Sequence, residues 1–154
     1  MAVNAIGTAL WIYDTGTSAV VKIGCPTNIS GLGLSREITE SDPCLETGET
    51  TKFTGKLTKN DISLSINWDP ESTSQKLLWD AVQAGSEGLS FVIGLSGDAT
   101  APTWSTGDWV LDTDRSWVKI VGAVAPISAD LALPAYKGSV TLSVTSVSIV
   151  KATT

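Results

Sequence analysis

The sequence contains no histidine. That absence removes the commonest general base, the commonest metal ligand and every Ser-His or Cys-His nucleophilic arrangement. Cysteine is scarce too. Cys25 and Cys44 are too few and too widely spaced to make a structural zinc site without histidine. They could pair only if the fold joined them, and a reducing cytoplasm favours free thiols. No run of about 18 apolar residues is present to span a bilayer. The start, Met1-Ala-Val-Asn-Ala-Ile-Gly, lacks the basic region and apolar core of a secretory signal, so the chain reads as made in a cytoplasm. The sequon Asn28-Ile29-Ser30 has no meaning there. Clusters of Lys and Arg are also missing, and a net charge of −6 argues against a phosphate-gripping surface. An acidic wall could instead let a polyanion slide past without sticking.

What is present is the composition of an ordinary globular protein, 42% hydrophobic and 17% charged. At 154 residues it fits one domain, 1–154, that can bury about two thirds of its unfolded surface. Ala9–Tyr13 and Ala19–Ile23 flank the turn-rich Asp14-Thr-Gly-Thr-Ser and predict a hairpin. Gly24 to Gly33 reads as an irregular excursion, after which Leu34–Thr39 is extended. The polar stretch of about 40–55 lacks periodicity and predicts a long loop, with Cys44, Leu45 and Phe53 as possible anchors.

The clearest strand is Ile62–Trp68, where Ile62, Leu64, Ile66 and Trp68 alternate with Ser63, Ser65 and Asn67. Asp69-Pro70 supplies an N-cap and first-turn proline for a helix of about 71–84, with Leu78, Ala81 and Val82 on one face and Gly85 ending it. Leu89–Leu95, Trp109–Asp112 and Trp117–Ala125 follow as strands, with Asp112-Thr-Asp-Arg-Ser as a hairpin turn between the last two. In the final strand, Lys137–Lys151, Val140, Leu142 and Val144 share one parity and Val147 and Ile149 the other. A bulge near Thr145 or Ser146 reconciles them. The predicted class is mainly β: a β-sandwich or open barrel with one flanking helix.

Candidate chemistry is thin. Asp108, Asp112 and Asp114 could form a hard-cation cluster, but the glycine and terminal glutamate of an EF-hand loop are missing, so turn and surface roles are favoured. Gly31-Leu32-Gly33 is half of a phosphate loop with no helix behind it. Carboxylate pairs for glycoside hydrolysis could be drawn from the 16 acids, and nothing singles one out. Of six tryptophans, Trp11, Trp68 and Trp79 sit in strand or helix patterns that bury them. Trp104, Trp109 and Trp117 are less constrained and could form a sugar-stacking surface. The expectation is a protein with no catalytic residue, metal or cofactor. A glycan- or host-surface-binding module is the alternative.

The order of segments resembles the major tail tube proteins of long-tailed bacteriophages, the lambda-like family. The residues that carry it are Gly7-Thr-Ala-Leu-Trp-Ile, Val21-Lys-Ile-Gly-Cys-Pro-Thr-Asn-Ile-Ser-Gly-Leu-Gly, Arg36-Glu-Ile-Thr-Glu-Ser-Asp-Pro-Cys-Leu-Glu and Phe53-Thr-Gly-Lys-Leu. They continue through Ile62–Trp68, Asp69-Pro70, Gln75–Ala84, Leu89–Ile93 and the closing pair Lys119–Ser128 and Gly138–Val150. The resemblance implies a structural virion protein that forms hexameric rings stacking into a tube, through which DNA passes without specific binding. It implies a loop of about 40–55 reaching the next ring through Glu40, Asp42, Cys44, Leu45, Glu46, Glu49, Lys52 and Phe53. Implied partners are further copies, a tape-measure protein, a tail terminator and tail tip proteins. No membrane is involved. The implied location is the virion tail, after assembly in the bacterial host cytoplasm. Some relatives carry a C-terminal immunoglobulin-like domain, for which this chain is expected to have no room. A contractile secretion-system tube would share the rings.

Overall fold

The computed structural model describes residues 7–24, 26–69, 71–95, 101–131 and 136–153. Cys25, Pro70 and the first six residues, on which some expectations fell, lie outside them. The protein is mainly β with one helix. Its centre is a seven-stranded antiparallel sheet of β1 (Ala9–Asp14), β2 (Ala19–Ile23), β3 (Pro26–Ser30), β6 (Ile62–Asn67), β7 (Leu89–Gly94), β10 (Trp117–Asp130) and β11 (Lys137–Val150), in the order β2-β1-β7-β10-β11-β6-β3.

β1 (Ala9–Asp14) and β2 (Ala19–Ile23) form the expected hairpin, with Leu10 opposite Ile23 and Asp14 opposite Ala19. Asp14 makes the turn: its carboxylate accepts from the Gly16 N–H at 2.9 Å and the Thr17 hydroxyl at 2.9 Å. β6 (Ile62–Asn67) buries Ile62, Leu64 and Ile66 while exposing Ser63 and Asn67, as its alternation requires. Next to it, β11 (Lys137–Val150) pairs Val121 with Ser146 but Gly122 with Val144, which leaves Thr145 as the extra residue. The bulge therefore falls where the apolar phase slips.

Several elements differ from expectation. Pro26–Ser30 is a strand, β3, on the outer edge of the sheet against β6. An edge tolerates Pro26 because the missing N–H can face away from the ladder. The stretch 40–55 is not a loop along its whole length. β4 (Leu34–Glu40) pairs with β5 (Lys52–Lys59) as a separate two-stranded ribbon, and only Ser41–Thr51 forms its tip. β8 (Thr103–Ser105) pairs with β9 (Asp108–Val110) around Thr106-Gly107, both at positive φ, so β9 does not form a hairpin with the strand after it. That strand, β10 (Trp117–Asp130), runs past Ala125 and pairs with β11 on one side and with β7 (Leu89–Gly94) on the other.

The helix, α1, spans Thr73–Ala84 with Ser72 at the N-cap position and no side-chain cap. Asp69 instead shapes the approach by accepting from the Glu71 and Ser72 N–H groups at 3.0 Å each. Gly85 ends the helix in the left-handed region, φ 66° and ψ 32°. There its N–H reaches the Val82 carbonyl and that of Ser86 the Ala81 carbonyl.

The sheet is rolled. β2 and β3 occupy its opposite edges, yet only Gly24 and Cys25 separate Ile23 from Pro26 in sequence. Three peptide steps span about 11 Å at most. The edges therefore meet near Gly24, and no ladder joins them, so the roll stays open. The first turn of α1 meets this seam, and the helix packs against β10. The Gln75 carboxamide, 2% exposed, donates to the carbonyls of Asn67 (2.9 Å) and Gly24 (3.4 Å) and accepts from the Asp69 N–H (2.7 Å). Leu78 enters the core among Leu10, Ile12, Ile23, Phe91, Ile120 and Val140. A side chain of that kind contributes about 1.5–3 kcal/mol when fully buried. A second cluster, Ala9, Trp11, Val92, Trp109 and Trp117, gathers residues from the other parity of β1 and β7 with the β8–β9 hairpin.

Candidate assembly interface

The β4–β5 ribbon is exposed along almost its whole length. Every residue of β4 is exposed, and in β5 only Gly55 is partly covered. Apolar side chains are not hidden by this: Ile38 is 66% exposed, Leu34 57% and Phe53 55%. In the register, Arg36 faces Leu57, Ile38 faces Thr54 and Thr39 faces Phe53. Leu34, Arg36 and Ile38 share one face with Leu57, because side chains alternate and cross-strand partners point the same way. Phe53 lies on the other. A two-stranded ribbon is marginally stable alone in water, and this one carries its apolar stripe outward.

The tip is held by its own backbone and short side chains. The Ser41 N–H donates to the Thr51 carbonyl and the Cys44 N–H to the Glu49 carbonyl, each at 2.8 Å. The Thr51 N–H donates to the Ser41 hydroxyl oxygen at 2.9 Å, and the Thr50 hydroxyl donates to the Glu40 carboxylate at 2.8 Å. These bonds leave the Leu45 side chain fully exposed. Cys44 is an exposed free thiol, and backbone hydrogen bonds from Thr47 and Glu46 hold its pKa below the ordinary value. Glu40, Asp42, Cys44, Leu45, Glu46, Glu49, Lys52 and Phe53 thus lie together on the tip and upper ribbon, all exposed.

The residue-by-residue reading missed the lower ribbon, where Leu34, Ile38 and Leu57 stand outward. Alternating apolar positions were visible there, but nothing in the sequence says that no sheet lies beneath them. It also missed an open edge. β6 pairs with β11 only from Lys137 to Leu142, so among the described residues Ser143–Val150 has β10 on one side and no hydrogen-bonded strand on the other. Ile149 on this segment is 71% exposed.

The other candidate residues fall elsewhere. Trp117 is fully buried, Trp109 is 8% exposed, and Trp104 stacks on Tyr13 at 4.1 Å between ring centroids. The three indoles are internal packing, which removes the sugar-stacking surface. Arg115, 3% exposed, lies over Trp117 and Trp11, its guanidinium carbon 4.3 and 5.1 Å from their centroids. Asp108 holds the Lys119 ammonium at 2.9 Å. Asp112 caps its own turn by accepting from the Asp114 N–H at 3.0 Å. Among the described residues no three His, Cys, Asp or Glu side chains converge as a metal site. No described helix is long and apolar enough to cross a membrane.

Residues 1–154 match the family model described as "Phage tail tube, TTP, lambda-like". The chain is 31% identical over 135 residues to "Structural protein 3" of Pseudomonas phage PAJU2, an alignment that covers 84% of this chain and 81% of that protein. Among solved structures it resembles a chain of the sheath-tube complex of an extracellular contractile injection system, PVC, in the extended state. That match has a TM-score of 0.69 and 15% identity, and covers 97% of this chain and 92% of that one. It also resembles a chain of the anti-feeding prophage baseplate, 6-fold symmetrised, with a TM-score of 0.70, 12% identity and full coverage of both chains. At these identities the structural likeness speaks for the fold.

Proposed function

Because the chain belongs to the lambda-like phage tail tube family and is a structural tail protein, we propose that it closes into hexameric rings that stack into a tube around a DNA channel. The observation that carries this reading is the ribbon. It exposes Leu34, Ile38, Leu45 and Phe53 on a two-stranded element that its own domain does not cover, and burial against another copy removes that cost. Edges give a second reason. The uncovered Ser143–Val150 segment contains no charge and no proline to block strand addition, and ring closure would pair or cover it. The 6-fold symmetry of the anti-feeding prophage baseplate, in which a chain of this fold sits, supports the count.

In this reading residues 1–154 act as one tube domain and the arm tip with the ribbon beside it, Glu40 to Phe53, makes the ring-to-ring contact. The tail tape-measure, terminator and tip proteins set the length and ends of the tube, and assembly takes place in the host cytoplasm before the tail joins the virion. The chain contributes shape and surface charge and no chemistry. Its net charge of −6 favours a lumen that repels DNA weakly, over about 8 Å at physiological salt.

Electron microscopy of the purified protein across a concentration series tests this. Rings or tubes of one width are expected above a threshold concentration. Particles that stay strictly monomeric at high concentration overturn it.

A further inference from the structure

Charge on the ribbon is segregated along its length. The tip, Ser41 to Thr51, holds Asp42, Glu46 and Glu49 with no Lys or Arg. The flanking strands hold Arg36, Lys52, Lys56 and Lys59 against two acids, Glu37 and Glu40. Lys76–Asp80 and Lys119–Asp108 are ion pairs within the chain, and among the described residues none joins a tip carboxylate to a strand ammonium group. Distance explains this. The register sets Glu40 opposite Lys52; beyond that rung Lys56 and Lys59 lie four and seven residues down a strand that rises about 3.3 Å per residue, roughly 13 and 23 Å away, farther than the screening length of about 8 Å. Asp42, Glu46 and Glu49 at the tip and Lys56 and Lys59 on the stem are therefore left to pair between copies.

Resting on the tail tube reading above, we infer that stacking is a directional charge pairing: the acidic tip of one arm seats on the basic stem of an arm in the next copy. Leu45, which projects fully into solvent from the acidic tip, then meets the apolar stripe of Leu34, Ile38 and Leu57, which lies between the stem's cations. Apolar contact supplies adhesion and the charges fix which end meets which, since like charges brought together oppose the wrong docking. Two arms lying antiparallel would also match acid to base, but that contact closes on itself and stops at a dimer. A head-to-tail contact leaves a free tip and a free stem at every step, as a growing tube needs.

A charge-reversal set tests the pairing: tip variant Glu46→Lys with Glu49→Lys, stem variant Lys56→Glu with Lys59→Glu, and all four changes together. These side chains are exposed, so thermal unfolding of the monomer is expected to match the wild type. By microscopy and sedimentation, each pair alone should lose stacked tubes. An equal mixture of tip and stem variants should regain them as alternating layers. The fourfold variant should stack with itself but not with the wild type, and wild-type stacking should weaken as salt rises. Reversal variants that stack like the wild type, a mixture that fails to regain tubes, or a discrete antiparallel dimer each overturn the pairing while leaving the tail tube reading in place. A wild-type protein that forms neither rings nor tubes overturns that reading and this inference with it.

Discussion

The side-chain nitrogen of Gln75 lies 2.9 Å from the carbonyl oxygen of Asn67, so a helix residue completes the end of β6. The same carboxamide accepts from the Asp69 N–H and reaches the Gly24 carbonyl, tying together the seam of the rolled sheet. Replacing it with leucine keeps the volume but strands buried backbone groups, each at a cost of about 1–3 kcal/mol. Gln75→Leu is expected to lower stability by about 2–4 kcal/mol in urea unfolding. Gln83→Leu, on the exposed side of the same helix, is expected to stay within about 0.5 kcal/mol.

Gly122 sits against the backbone of Ser143 beside the Thr145 bulge, where a Cβ would run into the Ser143 carbonyl. Backbone in the middle of a sheet cannot step aside as a flexible side chain can. Gly122→Ala is therefore expected to destabilise by about 1–3 kcal/mol or to shift the β10–β11 register. Denaturant unfolding measures the first, and the amide chemical shifts of Val121 to Val124 report the second.

The same bulge marks where the sequence is legible. Val140, Leu142 and Val144 followed by Val147 and Ile149 encode a change of parity that only an extra residue can absorb. Ile62 to Asn67 is readable for a similar reason: one face buried and one wet writes period 2 into the chain. Pro26–Ser30 is not readable, because an edge strand with Thr27, Asn28 and Ser30 outward carries no alternation. The ribbon was harder still. With both faces in solvent, Arg36, Glu37 and Lys56 are as acceptable as Ile38, so its polarity imitates a loop although its backbone is paired. Only the ordered resemblance suggested a role for it at an interface. The apolar lower ribbon shows only in the structure, where among the described residues Leu34, Ile38 and Leu57 stay exposed.

Asp108 and Lys119 make the test of electrostatics. The hydrogen bond from Lys119, helped by the Trp109 N–H, holds the Asp108 carboxyl below its ordinary value of 3.8. A depressed folded value stabilises the protein above the unfolded value, and that contribution is lost as pH falls from 3.8 through the folded midpoint. Asp108 is 64% exposed in its side chain, so solvent limits the gain at pH 7 to about 0.2–1 kcal/mol. Asp108→Asn is expected to show that small loss at pH 7 and none once the wild-type carboxyl is protonated. Denaturant midpoints at both pH values, with an NMR titration of Asp108, check it.

Leu45 and Leu78 separate assembly from folding. Leu78 is fully buried and Leu45 fully exposed, so truncating them removes different things. Leu78→Ala empties part of the core and is expected to cost about 2–5 kcal/mol of monomer stability. Leu45→Ser removes no contact within the chain, so the unfolding midpoint is expected to stay put while the concentration needed for tubes rises. The ribbon should report the same division in hydrogen exchange. In the free subunit Lys52–Lys59 and the tip are paired only within two strands, an arrangement that opens readily, so their amides are expected to exchange quickly beside the slow core of β7 and β10. If the arm lies against another copy in tubes, as proposed, its amides are expected to slow there while the core is unchanged. Equal protection of residues 40–55 in subunit and tube would mean that the arm is not the joint between rings.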